Sequence, residues 1–144
     1  MDDAQHIANC IYAYAERIDL GDFEGVAQVL AHADVTFEGV EGSQRGVDAL
    51  TALYASTTKR YDDGTPKTKH VTTNVAITLD GDSANASSYF TVLQAVPGML
   101  PLQPIIAGRY RDRFERVDGK WRFSARHVTV DLLGDLSAHL KIEL

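Results

Sequence analysis

The stretch "GRYRDRFERVDGKWRFSARHVTVD", residues 108–131, sets two long runs of interleaved apolar and charged residues on either side of Asp118-Gly119. An Asp-Gly pair between two such runs is a hairpin signal, because the tight turn wants residues that accept positive φ. The spacing predicts one strand over about 105–117 and a second from Lys120 to about Leu132. In the first strand Arg109, Arg111 and Arg113 alternate and so share one face. With Asp112 and Glu115 close by, that face reads as a solvated or subunit-facing set of ion pairs. In the second, strict alternation puts Arg126 with Ser124, Val128 and Val130, and Trp121, Phe123 and His127 on the other face. An arginine in line with two valines needs a partner. Either an anionic substrate group or an acid such as Asp19 or Glu38 would serve.

Upstream the β character continues as far as Pro66. "DGD" at 80–82 separates predicted strands over about 68–79 and 83–95. "VPGMLPLQP" at 96–104 holds three of the four prolines and reads as a loop or a break in the sheet. It suits a lid over a cavity or an interface loop. Before Pro66 the period changes. Ile7, Cys10, Ile11, Tyr14 and Ile18 recur at helical spacing behind Asp2-Asp3, and "DLGD" at 19–22 stops that helix. Phe23, Val26, Val29 and Leu30 mark a short second helix, and Val47, Leu50, Leu53 and Tyr54 a third over about 46–59. "DVTFEGVEG" at 34–42 reads as a strand between them, and "GDLSAHLKIEL" at the end as a short helix or an edge segment. Helices first and a long antiparallel meander afterwards give an α+β fold. The helices lie on one face of a curved sheet, with room for a cavity between the layers.

The totals narrow the function. A chain of 144 residues with 44% apolar and 24% charged residues is one globular domain. A net charge of −6 excludes a general nucleic-acid binder. The single cysteine, Cys10, forms no internal disulfide, and neither a leader nor a membrane-length apolar run is present, so a soluble cytoplasmic protein is expected. The five histidines show no metal-ligand spacing, and no nucleotide loop or serine-hydrolase elbow occurs. Neither metal nor cofactor is therefore expected, and no membrane partner.

Two residues draw attention together. Asp19 ends the first helix and either caps the turn or projects toward the sheet. His70 lies in the strand entry "TKHVTTN" and either faces water or faces a cavity. If they meet, the carboxylate would fix the imidazole tautomer and leave the other ring nitrogen free to move a proton. Strict alternation raises a difficulty. It groups His70 with Thr72, Asn74 and Ala76, whereas Val71, Val75, Ile77 and Leu79 form the more apolar face. A bulge near the strand start would reverse that parity. Tyr14, Tyr54, Tyr89 and Tyr110 each offer a phenol to a pocket or pack as core residues.

Taken in order, "YAERIDLGDFEGVAQVL", "GVDALTALY", "TKHVTTN" and residues 108–131 resemble the SnoaL-like branch of the nuclear transport factor 2 (NTF2)-like superfamily, over nearly the whole chain. The resemblance implies a cone of three N-terminal helices closed by a strongly curved, mostly antiparallel sheet, and a dimer or trimer formed through that sheet. That branch includes scytalone dehydratase, bile-acid dehydratase and the lindane dehydrochlorinase. There an Asp–His pair acts as the base in cofactor-free elimination. Asp19 and His70 match its positions, Tyr14 and Arg126 resemble substrate-binding residues, and Tyr54 and Phe37 complete the candidate lining. A first-strand tyrosine common in such dehydratases is replaced here by Phe37 and Glu38. What the resemblance implies is a cofactor-independent lyase or isomerase acting on a small hydrophobic molecule of steroid, polyketide or terpenoid type. A polyketide cyclase, and a non-catalytic ligand-binding or oligomerising module or accessory subunit, are the alternatives within the same fold.

Overall fold

The computed structural model describes residues 1–144 and orders them as α1 (Asp3–Asp19), α2 (Phe23–Val29), β1 (Asp34–Phe37), α3 (Val47–Thr57), β2 (Thr68–Asp80), β3 (Ser83–Val96), β4 (Leu100–Val117) and β5 (Lys120–Leu133). Helix α1 starts where Asp2 accepts a hydrogen bond from the Gln5 amide, with Asp3 in its first turn and Arg17 in its last, both matched to the helix dipole. Ile7, Ile11 and Ile18 line its buried stripe. Each contributes about 1.5–3 kcal/mol relative to an exposed side chain. The chain then reverses at Gly21, whose φ is +73° and where a Cβ would stand 2.0 Å from the Gly64 carbonyl oxygen. Only glycine meets both conditions. Asp22 starts α2 by accepting from the Gly25 amide at 2.9 Å.

The five strands form one sheet in the order β1-β5-β4-β3-β2, antiparallel except for the β1–β5 pair. The helices cover one face. Ala84, Ala86, Phe90 and Val92 of β3 and Tyr110 and Phe114 of β4 point into that layer, while Arg109, Arg111 and Arg113 stand on the other side. This is the expected α+β cone of three helices on a curved sheet. No helix is long and apolar enough to cross a membrane.

Four sequence expectations need correction. β1 ends at Phe37 rather than running to residue 42, because a turn closes there with Val40 N–H donating to the Phe37 carbonyl. The proline-rich stretch is a short turn rather than a long loop. Only residues 97–99 turn, and β4 starts at Leu100, with Pro104 opposite Leu93 beside a register shift that tolerates its missing N–H. The tail beyond β5 forms neither helix nor edge strand. It folds back over the end of α3, where Thr58 and Leu140 form an isolated antiparallel bridge. Finally, β5 carries an irregularity between its pairs Arg113–Ala125 and Phe114–Phe123. The extra residue, Ser124, brings Phe123 onto the face of Arg126 instead of the opposite one.

Candidate active site

The side-chain parity of β2 decides where His70 points. The β2–β3 register shifts between Thr73 and Ala76, and Asn74 lies in the left-handed region with φ +53°. This bulge falls in mid-strand rather than at the start. Before it His70 and Thr72 face the helices, and after it Val75 and Ile77 do, packed against the core. Thus one extra residue lets the polar half of β2 and its apolar half share one face.

Helix α1 packs on β2 and β5, and its last residue meets that polar half. The Asp19 carboxylate accepts three hydrogen bonds: His70 Nδ1–H at 2.7 Å, the His70 main-chain N–H at 2.8 Å and Thr68 Oγ1–H at 2.9 Å. Because a carboxylate only accepts, the proton of the neutral ring sits on Nδ1. The side chains are 12% and 7% exposed, so the pair is shielded from water. His70 Nε2 has no hydrogen-bond partner within the protein.

Around the ring lies an aromatic cluster. Tyr14 packs edge-on against His70 at 6.4 Å between centroids and against Tyr110 at 5.9 Å, and its hydroxyl lies 3.2 Å from that of Tyr54. Burial, reinforced by Tyr14, pushes the phenols of Tyr54 and Tyr110 well above their ordinary pKa, so both remain donors at neutral pH. The Arg126 guanidinium stacks 3.7 Å from the Tyr110 centroid and 4.5 Å from that of Tyr14. Its partner is neither Asp19 nor Glu38. It donates Nε–H and Nη2–H to Asp112, the residue opposite on β4, at 2.8 and 3.0 Å, and both side chains are fully buried. Burial opposes the guanidinium charge, but the Asp112 carboxylate more than offsets this and raises the pKa further. Arg126 Nη1 is buried without a partner.

Of the candidates from the sequence, Asp19, His70, Tyr14, Tyr54 and Arg126 come together. Phe37 does not. It is half-buried on β1, at the opposite edge of the sheet from β2, and packs against the hydrophobic core without a ring-to-ring contact to His70 or the tyrosines. Asp112, close to the arginine face in sequence, points inward and takes no part in ion pairs on that face. The exposed ion pairs there are Arg109–Asp131 and Arg122–Glu115. A shallow concavity of about 580 Å³ occupies this outer face, lined by Arg111, Arg113, His127 and Ser87. Arg126 and Asp112 border it only through main chain, since their side chains are inaccessible. The Asp19–His70 pair lies on the opposite, helix-covered face of the sheet from this hollow.

Two members of the site, Asp112 and His139, were not among the pocket candidates. Asp112 was legible in principle, because alternation from the outward arginines sends it inward, as it does Tyr110. His139 carried no signal. The tail packs its ring against His70, 6.4 Å between centroids, and leaves Nδ1 buried and unpaired. Burial, then the neighbouring His70, lowers its pKa to about 4 from 6.5, while Asp19 opposes the shift. The unfolded chain thus binds the extra proton between these values, and stability falls as the pH drops from 6.5 to 4. The loss from this group alone is about 3 kcal/mol at most. Urea denaturation at pH 7 and pH 4 should show a smaller decline in His139→Gln than in the wild type; equal declines would contradict the assignment.

No group of His, Cys, Asp and Glu side chains is arranged to hold a metal ion. What the site offers is a clamped imidazole with one free nitrogen, neutral phenols and a guanidinium with one free donor. Such a set can take a proton and stabilise a developing oxyanion. Among solved structures, an Asp-to-Asn variant of Rv3472, a protein of unknown function from Mycobacterium tuberculosis, shares 26% identity over 90% of this chain and 72% of that one, with a TM-score of 0.72. LinA shares 22% over 97% and 91%, with a TM-score of 0.71. A scytalone dehydratase candidate from Novosphingobium aromaticivorans shares 20% over 91% and 85%, with a TM-score of 0.70. At the last two identities the likeness is one of fold. No protein with a curated description matches by sequence. The SnoaL-like domain family matches residues 1–127, which takes in α1, the β2 entry and β5 as far as His127, and to that family the chain belongs.

Proposed function

We propose that this chain is a cofactor-independent lyase or isomerase that removes a proton from a small, mostly hydrophobic molecule of steroid, polyketide or terpenoid type. The observation that carries the reading is the Asp19 carboxylate, which holds His70 by both its ring Nδ1 and its main-chain amide. So held, the ring keeps Nε2 as its free nitrogen and gains a counter-charge when it becomes imidazolium. Tyr14 lies between this base and Arg126. Arg126 already shares its charge with Asp112, so the cluster suits a neutral substrate bearing a carbonyl oxygen better than an anion. His70 takes a C–H proton, the electron pair moves onto that oxygen, and Arg126 Nη1–H and the phenols stabilise the charge. Returning the proton at another carbon isomerises the substrate. Loss of a β-substituent eliminates instead.

The non-catalytic module is the second reading. It draws support from the hydroxyl pair Tyr14–Tyr54 and the ion pair Arg126–Asp112, which largely satisfy one another in the cone. Deuterium uptake from D2O separates the two. With 2-tetralone as a small apolar ketone, the wild type should catalyse exchange at the carbon next to the carbonyl, and Asp19→Asn should lose 10²-fold or more of that rate, as expected for a displaced acid–base group. In the same variant the ¹⁵N shifts of His70 should leave the Nδ1–H tautomer. An enzyme without catalysed exchange whose His70 shifts ignore Asp19→Asn would favour the module.

A further inference from the structure

The segment after β5 has no regular structure, yet seven hydrogen bonds tie it down from four directions. Gly134 N–H donates to Ile105, Lys59 N–H to His139 at 2.7 Å, and Lys141 N–H to Thr57 at 2.8 Å. Side chains add more: Lys59 Nζ reaches the Ser137 carbonyl at 2.7 Å and Lys141 Nζ that of Ala55 at 3.0 Å. Gln94, fully buried on β3, and Tyr61 both donate to the Ala138 carbonyl. Ala138 and His139 are consequently buried, at 1% and 6% exposed, inside a stretch that spacing alone would leave at the surface.

What this anchoring delivers is the His139 ring. It stands edge-on to His70 at 65°, while Tyr14 stands edge-on to it at 86° and an equal centroid distance of 6.4 Å. His70 is thus bounded by a ring from the tail, a ring from α1, and the carboxylate that holds Nδ1. A ring walled on these sides cannot turn without breaking the bond to Asp19. We propose that His139 is a positioning residue for His70, and that the C-terminal segment completes the active site by carrying it. This rests on the reading of Asp19–His70 as the acid–base pair. An aliphatic side chain would also fill the space. An imidazole held neutral adds a polar atom without adding charge beside the base, although its Nδ1 is itself buried without a partner.

The test uses ¹⁵N-histidine-labelled full-length protein and needs no substrate. In the wild type at neutral pH, the Nδ1–H proton of His70 should be visible downfield and exchange slowly with water. In His139→Ala its exchange should quicken at least tenfold and the ¹⁵N shifts should move toward mixed tautomers, with the far-UV spectrum unchanged. His139→Gln, which keeps volume and a polar group, should restore at least half of the effect and covers the case in which the alanine variant fails to fold. Tyr61→Phe loosens one anchor of the segment but keeps the ring, and should leave His70 close to wild type. Unchanged His70 signals in both His139 variants overturn the proposal. So does a Tyr61→Phe effect as large as that of His139→Ala, since the segment's closure and not the ring would then be responsible. Asp19→Asn reports separately on the underlying pair: insensitivity there would remove the acid–base reading whatever the His139 variants do.

Discussion

Replacing His70 with alanine is expected to lower catalysed proton exchange by 10²–10⁴-fold, the usual contribution of a positioned general base, while the protein stays folded. The activity loss follows from the geometry. Nε2 of His70 is the one nitrogen of the pair left without a partner, and no other imidazole in the cluster is oriented by a carboxylate. His139, 6.4 Å away, is held neutral by burial but has no acid to stabilise its charged form by hydrogen bonding. It is therefore a poor substitute. The fold should survive because the Asp19 carboxylate keeps two of its three donors, the Thr68 hydroxyl and the main-chain amide of residue 70. Deuterium uptake into 2-tetralone, followed by NMR, reads the rate, and thermal unfolding reads the fold. A folded variant with undiminished exchange would remove His70 from the mechanism.

The largest expected effect on stability lies at Asp112. Its pair with Arg126 is bidentate and fully buried, joins directly opposed residues of β4 and β5, and sits beneath the rings of Tyr14, Tyr110 and Phe123. Asp112→Ala would leave a guanidinium without a counter-charge where it is shielded from solvent. Such changes cost about 3–5 kcal/mol, a large part of what holds an ordinary domain folded. Urea unfolding of the two proteins gives the difference directly. The double variant Asp112→Leu with Arg126→Met removes both charges at similar volume and should recover most of that stability. It should not recover proton exchange, because the Nη1 donor is gone. If Asp112→Ala is as stable as the wild type, the guanidinium has found water or another partner, and the description of this pair as sealed is wrong. If the double variant keeps full exchange, Arg126 is structural only.

Much of this site was legible from local pattern. The helical stripe through Tyr14 and Ile18 carries Asp19 at its end, and the Gly21 reversal that follows leaves the carboxylate pointing back at the sheet. "TKHVTTN" stood out because its polar residues occupied a face that a packed strand would fill with valine. Tyr110 and Asp112 were one step of alternation away from the arginines that drew notice. Phe37 was misplaced for the opposite reason. Its position depends on β1 ending early and pairing in parallel with β5, and nothing within "VTFEGV" shows either.

By itself, the sequence determined the order of helices and strands and the two Asp-Gly turns, which rest on local propensity and spacing; that Asp19 meets His70 came only with the tertiary structure. The tertiary structure alone decided the bulge at Asn74 that turns His70 inward, the bulge at Ser124 that puts Phe123 beside Arg126, and the partner of that arginine. It also decided that His139, more than sixty residues from His70, closes the site. A bulge is a choice between registers of nearly equal local energy. Which register wins, and where an irregular tail comes to rest, depends on burial and hydrogen bonds that exist only once the helices and the sheet have met.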